Sequence, residues 1–209
     1  YYIVQIHYAQ HQYEEIYPRA EKLLEDFPHN PHNDELHRML GEIYYTDSAY
    51  DKSIKHLQAY RSLRLEQQQE PLRNDIYLLG MAHYKIGQYA GAIDRLKEVK
   101  EWKDSISESA YLHLGHSYLR IGDEEKAKLS YAAAIQLNIN SKVREEAMYN
   151  YVQITYLQGS ATGESITAFK QFLTEYPNTK YANKVYALMA DMYLTSKNYQ
   201  AAYEALSEI

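Results

Sequence analysis

One spacing of small, aromatic and large apolar positions recurs along the chain. A small residue is followed three positions later by an aromatic, six after that by a second aromatic and three further by another small residue, with large apolar side chains four and seven beyond. Clear copies run Gly41, Tyr44, Tyr50, Ser53, Leu57, Tyr60; Gly80, His83, Tyr89, Ala92, Leu96, Val99; and Gly115, Tyr118, Glu124, Ala127, Tyr131, Ala134. Two more run Gln153, Tyr156, Thr162, Ser165, Phe169, Phe172 and Ala190, Tyr193, Tyr199, Ala202, Leu206, Ile209, and a degenerate copy leads with Val4, His7, Tyr13, Ile16, Ala20, Leu23. Steps of three and four residues hold side chains on one helical face, so each copy predicts two amphipathic helices.

Gly87 in KIGQY and Gly122 in RIGDE fall between the two halves of their copies, where a chain leaving a helix often needs positive φ. The small residues of the two helices predict a close backbone approach, with the large residues filling the space around it. Through Ile16, Ser53, Ala92, Ala127, Ser165 and Ala202 the second small position advances by 37, 39, 35, 38 and 37 residues. The extra residues fall between copies. Leu65 to Pro71 (LEQQQEP) reads as a lengthened second helix stopped by proline, and Ser105 with Glu108 has capping-box spacing.

The segments LGEIYYTDSAYDKSIKHL, LGMAHYKIGQYAGAIDRL and LGHSYLRIGDEEKAKLSY resemble tetratricopeptide repeats, and the pattern covers nearly the whole chain. That resemblance implies an all-α, right-handed α-solenoid of about six antiparallel helix pairs, the first partial, with units near 1–30, 31–70, 71–104, 105–140, 141–179 and 180–209. It also implies a non-catalytic scaffold whose first helices line a concave groove for a peptide or helix of a partner protein, the alternatives being a structural or oligomerisation segment of a bacterial envelope assembly or an accessory repeat domain of a larger protein. FPHNPHNDELHRMLGEIYY (Phe27 to Tyr45) and YPNTKYANKVYALMADMYL (Tyr176 to Leu194) align without gaps, and their aromatic–proline step is similar to repeats of bacterial envelope proteins such as the outer-membrane assembly lipoprotein BamD and the Tol-associated coordinators. By that resemblance the chain is expected in the periplasm or at the outer membrane, with the cytoplasm as the alternative.

Composition narrows the function classes. Apolar residues make up 45% and charged residues 24%, the profile of an ordered helical chain. A net charge of -6 argues against nucleic-acid backbone binding, and no stretch has the length and apolarity of a membrane span. With no cysteine, thiol catalysis, disulfides and zinc–thiolate sites are excluded. The repeat pattern begins inside a first helix and ends on a second, which predicts that the array continues or that the end at Ile209 is covered by a partner or by self-association.

Tyrosine is the most prominent residue, at 24 of 209. Tyr44, Tyr118, Tyr156 and Tyr193 share one repeat column and Tyr13, Tyr50, Tyr89 and Tyr199 another, so these are expected to pack between helices. The groove-facing positions are different: Tyr8, Arg38, Glu42, Tyr45, Tyr77, Met81, Tyr84, His116, Arg120, Asn150 and Ile154. Aromatic and polar groups mixed in this way suit an extended or helical peptide. Some tetratricopeptide proteins clamp a chaperone's C-terminal carboxylate with Lys, Asn and Arg. Arg38 alone fits that pattern, and Glu42 would repel the ligand. His7 and His11, four apart on a helix, and His29, His32 and His37 near a loop invite a metal, yet Tyr8 stands where a metalloprotease-like pair needs Glu. No phosphate loop, nucleophile elbow or oriented catalytic pair is present, so no enzymatic activity, cofactor or metal is expected.

Overall fold

The computed structural model describes residues 1–158 and 163–209, and among these every regular element is helical. In chain order they are α1 (Tyr2–Ala9), α2 (Tyr13–Asp26), α3 (Asn33–Thr46), α4 (Tyr50–Glu66), α5 (Arg73–Lys85), α6 (Tyr89–Lys97), α7 (Ser105–Arg120), α8 (Glu124–Leu137), α9 (Ser141–Leu157), α10 (Gly163–Glu175), α11 (Ala182–Thr195) and α12 (Tyr199–Ser207). Thr162 lies outside the described residues. The chain gathers into two compact units, residues 1–102 with 116–121 and residues 103–115 with 122–209. No described helix is long and apolar enough to cross a membrane.

Glycine sets the distance between paired helices. A Cβ on Gly41 would meet Leu57 Cγ at 2.6 Å, one on Gly80 would meet Leu96 at 2.9 Å, and one on Gly115 would meet Tyr131 Cε1 at 2.5 Å. In these three pairs the first helix thus lies against the large residue of the second. The small column of the second helices is fully enclosed, with Ser53, Ala92, Ala127 and Ser165 all at 0% exposure. Around these approaches the first unit buries Leu36, Met39, Leu40 and Ile43, and the second buries Val152, Phe169, Phe172 and Val185.

The turns repeat as closely as the helices. Seven positions beyond the small residue the backbone is left-handed in five pairs, at His11, Ser48, Gly87, Gly122 and Lys197. Gln12, Ala49, Gln88 and Asn198 each donate their N–H to the carbonyl five residues back, on His7, Tyr44, His83 and Tyr193. The preceding residue, at the left-handed position, bonds three back, which completes a Schellman turn. The positive φ expected at the two glycines is therefore a property of the repeat, carried elsewhere by His, Ser and Lys.

Two local expectations are corrected. Proline does not stop α4: a further left-handed residue, Gln68, closes it, with Gln69 N–H bonded to Arg64 O at 2.9 Å, and Pro71 lies beyond. Ser105 and Glu108 do not form a capping box. Asp104 Oδ1 caps α7 by accepting from Ser107 N–H at 2.9 Å, while the fully buried Glu108 accepts from the N–H groups of Ile139 (2.7 Å) and Asn140 (2.9 Å) at the entry to α9. Those two donors have no intrahelical partner, so a carboxylate among them is better used than at its own helix start.

Candidate functional site

The first unit carries most of the predicted contact residues on one succession of first helices. Tyr8 comes from α1, Arg38, Glu42 and Tyr45 from α3, Tyr77, Met81 and Tyr84 from α5, and His116 and Arg120 from the end of α7. The spacing of three and four residues along each helix places these side chains, the buried Met81 excepted, on one face.

At the α1–α3 end they form a bonded network. The Tyr8 hydroxyl donates to one Glu42 oxygen, and Arg38 Nη1 donates to the other at 2.6 Å. Arg38 also bonds Glu35 at 3.0 Å and lies 5.8 Å from the centre of the Tyr8 ring. The guanidinium is therefore committed to two carboxylates of its own helix, which removes it as a clamp for a partner's carboxylate. Glu42 further lies within hydrogen-bonding reach of Asp75 on α5, and burial together with that second carboxylate pushes its pKa up to about 8.

Aromatic rings cover the rest of the face in a regular way. Tyr8 and Tyr13, Tyr45 and Tyr50, and Tyr84 and Tyr89 pair across successive Schellman turns with ring centres 6.3, 5.3 and 6.0 Å apart. Each couples a tyrosine assigned to the face with one assigned to packing, so the second supports the first. Burial pushes Tyr45 up to about 12, with Tyr77 and Tyr50 adding to the effect. Tyr84 stacks on His116 at 6.1 Å, and burial, then Arg120, lowers that imidazole to about 4.

Other predicted residues are placed elsewhere. Met81 is 6% exposed and Ile154 1%, so neither side chain reaches a partner; the helical stripe that carries face residues is narrow, and these two turn into the core. Asn150 and Ile154 belong to the second unit, and Asn150 donates back to its own helix at Glu146 O, 2.7 Å. Tyr44 and Tyr118 are buried at 7%, as packing residues should be, whereas Tyr199 is 66% exposed beside Tyr203 and Leu206 on α12.

Sequence reasoning missed Asp75, whose only signal was an acid in the first turn of its helix. It also missed the His37–His56 contact, with Nδ1 atoms 2.9 Å apart, because the two rings are brought together by α3 packing on α4. The histidines read as metal candidates have other partners: His7 bonds Gln12 at 2.7 Å, His11 bonds Tyr13 at 2.7 Å and His32 stacks on Tyr1 at 4.0 Å. Among the described residues no three His, Cys, Asp or Glu side chains gather as ligands would. The second unit holds an open cleft of about 570 Å³ among α10, α11 and α12, lined by Lys170, Tyr186, Tyr193 and Glu204 among others.

Family models described as tetratricopeptide repeat match residues 76–105 and 108–138. No relative is found among curated protein sequences. Among solved structures, the chain is similar to BtubC from P. vanneervenii at 11% identity and TM-score 0.61, covering 98% of this chain and 89% of that one. A Podosopora anserina protein of nearly identical TPR-like repeats matches at 14% identity and TM-score 0.60, over 86% and 95% of the two chains. A tetratricopeptide repeat protein from Parabacteroides merdae matches at 15% and 0.58, over 94% and 78%. At these identities the likeness is one of fold.

Proposed function

Because the chain is an all-α helical-repeat solenoid carrying tetratricopeptide repeats, we propose that it is a non-catalytic scaffold that holds a peptide or helix of a partner protein on the tyrosine face of α1, α3 and α5. The observation that carries this reading is the series Tyr8, Tyr45 and Tyr84, each half-buried, each propped by a second tyrosine across its turn. A ring held at its base and open at its edge buries area on a partner with little loss of side-chain entropy.

The test is peptide display against the intact chain. The expected result is an enriched peptide family whose isolated members lose about tenfold in affinity, roughly 1.4 kcal/mol, against Tyr84→Ala. Undiminished binding to Tyr84→Ala and Tyr45→Ala would overturn the face assignment.

A second reading, a structural segment of a bacterial envelope assembly, is favoured by the two similar segments: in both, an aromatic–proline step and a short loop lead from one helix into the next, α2 into α3 and α10 into α11. It assigns the chain to the periplasm or outer membrane and assigns α12, with Tyr199, Tyr203 and Leu206 at 66%, 70% and 50% exposure, to self-association. Light scattering separates the two readings, since association through α12 makes the mass depend on concentration and a strict monomer counts against it.

A further inference from the structure

Beneath the tyrosine face two carboxylates from successive first helices come within hydrogen-bonding reach, Glu42 on α3 and Asp75 in the first turn of α5. Asp75 is 4% exposed, and its Oδ2 has no nitrogen or hydroxyl donor. Asp75 is buried and the Glu42 side chain is only 23% exposed, and this close together each raises the free energy of the other's ionised form. A proton between them removes the repulsion and supplies the donor that Oδ2 lacks.

We propose that Glu42 and Asp75 share one proton at neutral pH, and that this proton ties α3 to α5 beneath the tyrosines, so that the partner-binding face holds its shape only while the pair is protonated. The regulatory part rests on the scaffold reading above; the shared proton does not.

The side that carries the proton follows from the surroundings. Asp75 sits at the N-terminal end of α5, where helix N–H groups favour an anion. It also gains from bonds to Glu42 and Tyr60 and from the nearby charge of Arg38. Glu42 keeps bonds from Arg38, at 2.6 Å, and from Tyr8, but its bond with Asp75 raises its pKa and lowers that of Asp75, so Glu42 is the donor. Tyr8 from α1, Glu35 and Arg38 from α3, and Tyr60 from α4 face the pair. Arg64 of α4, the other nearby cation, is turned to Asp34 at 3.5 Å. Arg38 is shared with Glu35, so no cation remains to neutralise both members.

The experiment is carboxyl NMR of the intact chain labelled in Glu and Asp, titrated from about pH 5 to about pH 10. One Glu resonance should titrate near pH 8, vanish in Glu42→Gln, and move to lower pH in Asp75→Asn, where burial alone still raises it. Every Glu resonance titrating below roughly pH 5.5 would overturn the shared proton. The link to the helices is read separately, by thermal unfolding. Wild type should lose stability between neutral pH and about pH 9, while Glu42→Gln, which keeps a donor without the charge, stays level; parallel curves overturn the link.

Peptide capture is then compared over the same range. A fall of about tenfold in the wild type and none in Glu42→Gln supports the regulation. Equal pH profiles overturn it and leave the face assignment standing. Failure of that assignment shows up differently, as capture at neutral pH that Tyr84→Ala leaves untouched.

Discussion

Ser53 donates its hydroxyl proton to the carbonyl oxygen of Gly41 at 2.7 Å, a bond that joins α4 to α3. A methyl group on Gly41 would have to enter space held by Leu57 Cγ, which is 2.6 Å from the ideal Cβ, and Leu57 is itself only 1% exposed. Gly41→Ala should therefore lower stability by about 1–3 kcal/mol despite alanine's better helix propensity. Ala127→Leu, at a position with 0% exposure in the second unit, should cost a similar amount. Urea midpoints check both, and a neutral or stabilising Gly41→Ala would show that the pair can separate without cost.

The Schellman turns predict the opposite sign at other positions. Ser48 and Lys197 hold φ of 61° and 60°, a conformation that strains residues with a Cβ. Ser48→Gly and Lys197→Gly should each stabilise the chain by roughly 0.5–1 kcal/mol, whereas Gly87→Ala, at φ 77°, should destabilise it by about 1 kcal/mol. Thermal unfolding of the three variants separates this from a general effect of glycine in turns.

The turn prediction also shows how far the sequence could be read. Gly87 and Gly122 announce their left-handed turns because glycine is the residue that adopts them freely. His11, Ser48 and Lys197 adopt the same φ without announcing it, since the repeat's hydrogen bonds impose it. Helix pairing was legible in the same way, because the small column and its large partners recur at fixed steps. The face was legible only in part. Tyr8, Tyr45 and Tyr84 are half-buried on their first helices, but spacing could not tell that Met81 and Ile154 are buried in the core. Asp75, the anchoring role of Glu108 and the His37–His56 contact escaped notice because each is defined by a residue on another helix.

Glu108 makes a strong case for a structural carboxylate. It is fully buried and accepts from the N–H groups of Ile139 and Asn140, which tie the start of α9 to α7 within the second unit. Glu108→Ala should strand both donors and cost about 2–4 kcal/mol, while Glu108→Gln retains one acceptor and should cost less. Hydrogen exchange at Ile139 and Asn140 gives the local readout: both amides should lose protection in Glu108→Ala. Unchanged protection would mean that water replaces the carboxylate and that the anchor contributes little.

Stability should peak near neutral pH, because buried groups pull from both sides. His56 is 6% exposed, and burial, then His37 and Lys55, holds its imidazole near pH 4, while burial and Arg120 do the same for His116. Between about pH 6.5 and about pH 4 the unfolded chain binds protons at these rings that the folded chain refuses. Stability therefore falls with acid across that window, on the order of 2 kcal/mol for His56 and less for the more accessible His116. Glu42 works in the reverse direction: the folded chain keeps its proton up to about pH 8 and the unfolded chain does not, so stability is lost as pH rises through that value. The two effects together place the maximum where the histidines are already neutral and Glu42 is still protonated, at roughly pH 6.5. Melting curves of wild type, His56→Phe and Glu42→Gln across that range test each limb separately. His56→Phe keeps a ring against Tyr44 and should flatten only the acid limb. An acid limb of unchanged slope in that variant would transfer the effect to the carboxylates bonded by Arg and Tyr elsewhere in the chain.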